Sequence, residues 1–564
     1  MIRKILISGA ISAGVLTLAG CTSGQPAAEM NIPDVAAGDL NQQTMVDAVR
    51  ELSSDAFEGR APGTAGEEKT VAYLIDQFQK AGLQPGNNGS WVQDAPMVEI
   101  TGSNFSPLKI SGGKDGDLSL AFKSDWVGAS YREAPKTDIQ NSELVFVGFG
   151  INAPERNWND YAGIDMKGKT AVILINDPDY ETEGLEGPFG GRAMTYYGRW
   201  TYKFEEAARQ GATAAIIVHD TFPAAYGWNV VDSSWTGPQV YPQSADGGAD
   251  QTAMNGWIQK SAAEKIMAAA GQDLATLGAA AKKQGFKPVP LGLTMSESFD
   301  NATRKFQSQN VIGILPGSER PDEYVLYTAH WDHLGRCQPD ATGDDICNGA
   351  VDNATGTAAL IALAEAQAKT GPALRSMVFL AVTAEESGLL GSTYYAANPV
   401  YPLDQTVGGV NMDALSMAGP AKDVTVVGGG KSELDQFLSK ALTSVNRSAT
   451  PESTPEKGFY YRSDHFPFAK QGVPMLYIDG GEDLVNGGRE AGQAFNRNFT
   501  ENHYHQPSDE FNESWDWTGV MQDLQLYYQL GRMMAMSDSW PNWVDGDEFR
   551  AARDESCAAS DKGC

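Results

Sequence analysis

The chain is poor in positive charge, in histidine and in cysteine. Lys and Arg number 42 against 72 Asp and Glu, for a formal net charge of −30. A nucleic-acid binder needs a basic face to neutralise phosphates, so this balance argues against DNA or RNA as a partner. An acidic surface speaks to solubility rather than to a specific function. The apolar segment Ile5 to Thr17 is too short for a membrane span, which takes roughly 20 residues. No internal repeat is present, which argues against a solenoid or propeller. What remains is ample core material: 564 residues, 41% hydrophobic and 9% aromatic. That length predicts two or three domains.

The five cysteines follow one pattern. Cys21 ends a segment with a basic start (Arg3, Lys4), an apolar middle and the residues Leu18, Ala19 and Gly20. This has the form of a signal peptide, and its ending resembles the bacterial lipobox, in which the cysteine is lipidated. The resemblance implies an exported protein held to a membrane through Cys21. Thr22, in place of Asp, points to the outer membrane facing the periplasm. Residues 22–40 are rich in Ala, Gly and Pro and read as a tether. The other four cysteines form close pairs, Cys337 with Cys347 and Cys557 with Cys564. In an exported chain these predict two disulfides. Neither pair has the two- to four-residue spacing of a zinc knuckle.

The pattern along the chain changes twice. Residues 41–130 open with two amphipathic helical stretches. Met45, Val46, Val49 and Leu52 share one face of the first; Val71, Leu74, Ile75 and Phe78 share one face of the second, with Gly82 as its stop. Short strand-like pieces follow. Residues 131–292 form an insert rich in glycine and aromatics: strands near Val145 and over Thr170 to Ile175, a helix over Phe204 to Gln210, and a strand from Ala214. From 293 to 545 strands alternate with helices. Strands are expected at Val311–Leu315, Tyr324–Ala329, Met377–Val382, Val424–Val427 and Pro474–Ile478. Helices are expected at Thr355–Lys369, Leu434–Val445 and Trp517–Met536. Residues 546–564 make a tail. The prediction is an α/β fold: a mostly parallel mixed sheet with helices on both faces, plus a smaller β-rich α/β insert.

Five of the six histidines fall in three clusters: His330 with His333, His465, and His503 with His505. His330 ends one expected strand. Glu385 and Glu386 follow another directly, and Asp413 follows a third strand-like piece. Asp352 precedes the alanine-rich helix. Taken singly, each has a plain alternative: a helix cap for Asp352 or Asn353, a structural imidazole for any one histidine. Together, His330, Asp352, Glu386, Asp413 and His505 give two imidazoles and three carboxylates. Strand carboxyl ends are where open α/β sheets bind ligands. Acids gathered in a low-dielectric cleft repel one another unless a cation offsets them. Nitrogen and oxygen donors without thiolates suit zinc, with manganese or cobalt as alternatives. Glu386 then serves as a metal ligand and Glu385 stays free as a general base. Asp332 is placed to hold the other N–H of His330.

These residues stand in motifs: His330-Trp331-Asp332, Val351 to Gly356, Ala384 to Gly388, Asn411-Met412-Asp413, and Tyr504 to Asp509. In this order they resemble the motif set of the co-catalytic zinc metallopeptidases, a family that includes secreted bacterial aminopeptidases, glutamate carboxypeptidases and the transferrin receptor. The resemblance covers about 41–130 and 293–545. It implies two zinc ions per chain, one held by His330 and Asp413, the other by Glu386 and His505, with Asp352 bridging and Glu385 as the base. It implies hydrolysis of a peptide substrate, most directly as an aminopeptidase. Carboxypeptidase action is the alternative, with Arg462 as the nearest basic residue for a substrate carboxylate; a non-catalytic binding protein is a further one. The insert resembles a protease-associated domain, by Val145–Gly150, Gly168–Leu174 and Ala207–Val218. His219 within it reads as structural and His503 as a bystander. His333 either lines the cleft or serves structure. Residues Tyr461 to His465 either lie near the substrate or cap a helix through Ser463 or Asp464.

Overall fold

The computed structural model describes residues 30–560. The two N-terminal amphipathic stretches are helices, Gln42–Leu52 and Ala65–Ala81. The first buries Met45, Val49 and Leu52; the second buries Val71, Leu74 and Phe78. Asn41 and Thr64 cap them through side-chain oxygens. Gly82 closes the second in the left-handed region, φ 92°.

The main sheet has four parallel strands at its centre. Arg320–His330 lies between Arg375–Val382 and Thr406–Asn411, and Met475–Gly480 lies beyond the latter. On one flank, Val311–Leu315 runs antiparallel to Arg375–Val382. On the other, Asp423–Val427 runs antiparallel to Met475–Gly480 and carries Ser448–Pro451 in parallel. All eight residues of Arg375–Val382 are buried, which explains its unbroken apolar run after Arg375 and Ser376. Helices cover both faces. Gln42–Leu52, Ala65–Ala81, Gly356–Thr370 and Thr518–Met536 share one core with Val325, Tyr327 and Phe379. On the opposite face, Tyr395 of helix Leu390–Ala397 and Phe468 of helix His465–Lys470 pack on Leu326, Val378 and Leu380.

A second sheet is built on the strands Lys136–Phe146, Lys169–Leu174, Ala214–His219 and Met254–Gln259, paired in parallel in that order. One strand, Val289–Leu315, joins the two sheets. Its first part pairs with Lys136–Phe146, its middle with Val92–Ser103, and its end with Arg375–Val382. The change of texture expected near residue 293 therefore falls inside a strand rather than in a linker.

Three other boundaries look different in the structure. Leu108–Ser111, Leu118–Leu120 and Trp126–Ala129, placed before the insert by sequence, pair with the second sheet or its extension. Leu108, Ile110, Leu120 and Trp126 are buried in its core beside Phe146 and Ile258, so burial of their apolar side chains decides where they belong. Residues 30–40, read as tether, lie on the main core: the Met30 N–H donates to Gln436, and Gly38 N–H donates to Gln525. In the tail, helix Arg550–Ala559 docks through buried Arg553, which donates to the carbonyl of Thr406 at 3.0 Å. Cys21 and Cys564 lie outside the described residues. Cys337 and Cys347 are bonded, and Cys557 is also in a disulfide. No helix among the described residues is long and apolar enough to cross a membrane.

Candidate metal and catalytic centre

The carboxyl ends of the central strands bring the predicted residues together. His330 is the last residue of its strand, and Glu385 and Glu386 follow Val382 by one short turn. Asp413 follows Asn411, the last residue of the third strand. Asp352 stands in the irregular turn that leads into helix Gly356–Thr370, and His505 comes from the loop after helix Gly488–Asn502.

The geometry divides these groups in two. His330 Nε2 lies 3.1 Å from Asp413 Oδ1 and 3.4 Å from Asp352 Oδ1. His505 Nε2 lies 3.3 Å from the other oxygen, Asp352 Oδ2, and 3.1 Å from Glu386 Oε2. Asp352 thus turns one oxygen to each imidazole. The ligand atoms of His330, Asp352 and Asp413 all lie within 4.8 Å of one another, as do those of His333, Asp352 and Glu386. Nitrogen and carboxylate oxygen in two adjoining clusters that share one carboxylate suit two divalent cations, zinc foremost.

Charges in the centre reflect this crowding. Burial opposes ionisation of Asp352, yet the contacts from His330 and His505 hold it well below the ordinary carboxylate range. Glu386 is likewise opposed by burial but falls to about 2, its histidine partners outweighing that cost. Glu385 behaves oppositely. Burial pushes it well above the ordinary range, and the charges on Glu386, Asp413 and Asp464 push it further. Its carboxyl makes no hydrogen bond or ion pair with a described residue, whereas Glu386 receives His333 Nδ1 at 2.6 Å on Oε1. The adjacent glutamates therefore differ in both charge and contacts.

Neighbouring residues fix this arrangement. His330 Nδ1 meets the backbone carbonyl of Asp332 at 3.1 Å, while the Asp332 carboxylate is 3.8 Å away. That carboxylate accepts the Glu385 N–H at 3.1 Å and the Glu386 N–H at 3.4 Å. The partner expected for His330 thus serves it through the main chain and uses its side chain on the glutamate turn. Asp509 accepts the N–H groups of Val351 and Asp352 at 3.0 Å. Asn353 accepts from Gly356 at 2.9 Å and Ala414 at 3.0 Å, tying the helix start to the Asp413 loop. A Cβ on Gly356 would lie 2.4 Å from both Asn353 Oδ1 and the Met412 carbonyl, so only glycine permits that approach.

Some contributors are not evident from sequence. Ser463 Oγ donates to Asp413 Oδ2 at 2.6 Å and accepts from Asn411 Nδ2 at 2.7 Å. Neither Ser463 nor Asp464 caps the following helix through its side chain. Arg60, fully buried, donates to the carbonyls of Trp331, Asn348 and Gly349, joining both ligand loops. Burial lowers its pKa to about 10. The other histidines stand apart from the ligands: His219 Nε2 meets the Tyr226 carbonyl at 3.0 Å, His503 Nδ1 meets the Ser508 carbonyl at 3.0 Å, and His465 is buried against Tyr460 and Tyr477.

The second sheet reaches this centre. Lys470 pairs with Glu205 at 2.8 Å, and Tyr196 packs edge-on against Phe466 with ring centres 4.9 Å apart.

Comparison with known proteins agrees with this centre. The family model described as Peptidase family M28 matches residues 310–529, the segment holding every candidate ligand. The chain is 33% identical over 138 residues to mouse (Mus musculus) Aminopeptidase NAALADL1, covering 23% of this chain and 17% of that one. It is 29% identical over 199 residues to the Glutamate carboxypeptidase 2 homolog of Caenorhabditis elegans, covering 34% of this chain and 24% of the relative. The matches thus span about a quarter or less of these relatives' lengths. Among solved structures, an aminopeptidase from Aneurinibacillus sp. strain AM-1 aligns with a TM-score of 0.47 at 20% identity, over 88% of this chain and 94% of that one.

Proposed function

Because residues 310–529 belong to peptidase family M28, we propose that the protein is a zinc-dependent metallo-exopeptidase acting as an aminopeptidase. The observation that carries this reading is Asp352, with one oxygen on the His330–Asp413 side and the other on the His505–Glu386 side, next to an unengaged Glu385. His330, Asp413 and Asp352 would hold one cation; Glu386, His505 and Asp352 would hold the other. Two such ions would supply Lewis-acid polarisation of the scissile carbonyl and an acidified water.

The chain's own groups do the rest. Glu385, kept basic by burial and neighbouring acids, takes the proton of the attacking water and returns it to the departing amine. His333 holds one oxygen of Glu386 at 2.6 Å, which leaves Oε2 turned to His505. Asp332 fixes the backbone of both glutamates. A carboxypeptidase reading has one observation in its favour: Arg462 lines the cavity that contains Glu385.

The insert is proposed as a protease-associated domain, on the pattern of Val145–Gly150 and Gly168–Leu174. Export and anchoring through lipidated Cys21, to the outer membrane on its periplasmic side, rest on residues 1–22 alone. Labelling with a radioactive fatty acid that is lost in Cys21→Ser supports that placement, and labelling that persists removes it.

The function is tested by offering residues 22–564 a panel of aminoacyl-anilides, N-blocked peptides and free dipeptides, with and without chelator. Chelator-sensitive cleavage that needs a free N-terminus is expected. Cleavage of N-blocked peptides from the carboxyl end would make it a carboxypeptidase. No cleavage with zinc restored would make it a binding protein.

A further inference from the structure

Two buried arginines of the main sheet's territory are answered by carboxylates: Arg375 pairs with Glu323 at 2.5 Å, and Arg447 with Asp523 at 2.7 Å. Arg60 is different. It is fully buried, yet its guanidinium bonds only to main-chain carbonyls. Nε donates to Trp331 at 2.9 Å, Nη1 to Leu52 at 2.7 Å and to Asn348 at 2.6 Å, and Nη2 to Gly349 at 2.9 Å. Three of these carbonyls belong to the two loops of the metal centre. Trp331 stands between His330 and Asp332, and Asn348 and Gly349 stand just ahead of Asp352. Burying such a cation is costly unless other charges and hydrogen bonds offset it. Burial lowers its pKa to about 10, and the carboxylates that oppose this are Asp509, Asp332, Asp352 and Glu386, all in or beside the centre.

The chain bends sharply to put Arg60 there. Glu58, Gly59 and Arg60 take consecutive positive φ values of 51°, 67° and 54°. Residues with side chains adopt this conformation at a cost, and it persists where the surroundings over-determine it. Here they do. A Cβ on Gly59 would lie 2.5 Å from the Cys347 carbonyl oxygen and 2.6 Å from that of Gly335. The turn is therefore pressed against the small hairpin of Gly335–Arg336 and Ile346–Cys347, which the Cys337–Cys347 disulfide closes. From that position one side chain reaches both loops. A guanidinium offers five N–H groups in one fixed plane, and four bonds to fixed carbonyls use that plane in a way a single ammonium nitrogen does not.

We propose that Arg60 is a positioning residue for the metal centre: its planar fork sets the spacing between the loop that carries His330 and the loop that carries Asp352, and so sets how tightly the cations are held. This rests on the two-cation reading of the centre. Arg60 touches neither a candidate ligand's side chain nor the substrate cavity; it acts through the main chain. Asp352 faces both His330 and His505, so a shift of its loop reaches both cation sites. Trp331 leads into Asp332, whose carboxylate accepts the Glu385 and Glu386 N–H groups, so a shift there reaches the glutamate turn as well.

The test measures zinc affinity of the full chain, stripped of metal, by competition with a chromophoric chelator and without substrate. Arg60→Ala should weaken zinc binding about 10- to 100-fold. Millimolar guanidinium chloride should restore most of that affinity by filling the space left. Methylammonium chloride, with the same charge on a single nitrogen, should not. Arg60→Lys should stay at least tenfold weak for the same reason. A lowered thermal midpoint with zinc affinity within twofold of the original would make Arg60 a purely structural residue and overturn the proposal. Equal recovery with methylammonium would overturn it too. Where Arg60→Ala does not fold or takes up neither salt, Arg60→Lys decides alone, and zinc affinity within twofold there overturns the proposal. Hydrolysis of leucyl-anilide by the unsubstituted chain, with and without chelator, separates the two claims. Chelator-sensitive hydrolysis with zinc affinity unchanged in the variants removes the role of Arg60 and leaves the peptidase. Weakened zinc binding in the variants without hydrolysis by the unsubstituted chain keeps the role of Arg60 and removes the peptidase.

Discussion

Replacing Ser463 with alanine is a direct probe of how the centre is held. Ser463 Oγ donates to Asp413 Oδ2 at 2.6 Å, while Asp413 Oδ1 faces His330 at 3.1 Å. Ser463 itself accepts from Asn411 Nδ2, and Thr328 Oγ1 donates to Asn411 Oδ1 at 2.7 Å. The hydroxyl is the last link in a buried chain that aims one ligand. A hydrogen bond to a charged group contributes about 1.5–3 kcal/mol, which corresponds to roughly 10- to 150-fold in an equilibrium constant. Loss of such supporting contacts at metal sites typically weakens binding about 10- to 100-fold. Ser463→Ala should therefore weaken zinc binding by one to two orders of magnitude, read by competition with a chromophoric chelator. It also strands Asn411 Nδ2, so the metal-free protein should lose about 1–3 kcal/mol of stability. Ser463→Thr keeps the hydroxyl and should recover most of the affinity. Zinc affinity within twofold of the original in Ser463→Ala would refute the claim that this hydroxyl orients Asp413.

Other perturbations separate the remaining parts. Glu385→Gln should keep its zinc, measured by elemental analysis, while turnover falls about 10²- to 10⁴-fold; near-normal turnover would remove Glu385 from the base role. Cys337 and Cys347 close a loop with a sequence separation of 10, for which the chain-entropy relation gives about 3 kcal/mol. Cys337→Ser with Cys347→Ser should lower the thermal midpoint of the metal-free protein accordingly, and should also weaken zinc binding because that loop leads to Asp352. An unchanged midpoint would show that the denatured chain does not gain freedom there. Glu297, buried in the second sheet's strand, is raised by burial to about 8. A raised folded pKa gives stability that is full below the unfolded value of 4.5 and is lost as pH rises through 8. Glu297→Gln should therefore raise the thermal midpoint at pH 8.5 more than at pH 4; equal shifts at both would mean the carboxyl is not charged at a cost.

The candidate ligands were legible because strand ends and rare residues coincide in the sequence. Apolar runs end at His330, before Glu385 and at Asn411, and the sheet turns those ends into one edge. The supporting residues were not legible for an equally physical reason. Ser463 and Arg60 act through single contacts across sequence separations that no local pattern encodes; the Arg60 donation to Gly349 spans 289 positions. The strained backbone was hidden too. Ala384, Ala414 and His505 take positive φ values of 54°, 51° and 58° next to or at the candidate ligands. Non-glycine residues pay about 1–3 kcal/mol for such conformations, and nothing in an alanine's identity announces them.

The boundaries of the insert show a different limit. Leu108, Ile110, Leu120 and Trp126 alternate as strand residues should, but alternation does not say which sheet receives them. Val289–Leu315 serves both sheets in one unbroken strand, so the two parts of the molecule share backbone hydrogen bonds rather than a hinge. That continuity bears on the cavity. The cavity that contains Glu385 takes its lining from both parts, with Trp200 from one and Tyr504 from the other. A shared strand, the Glu205–Lys470 pair and the Tyr196–Phe466 contact hold the walls in register. A cavity walled from both parts therefore requires no closing motion to take a peptide, and binding should be complete in the first encounter rather than after a slow rearrangement. Stopped-flow binding of leucyl-leucine to Glu385→Gln should then show a single phase whose rate rises linearly with peptide concentration; a rate that saturates would show that the walls move before the peptide is held.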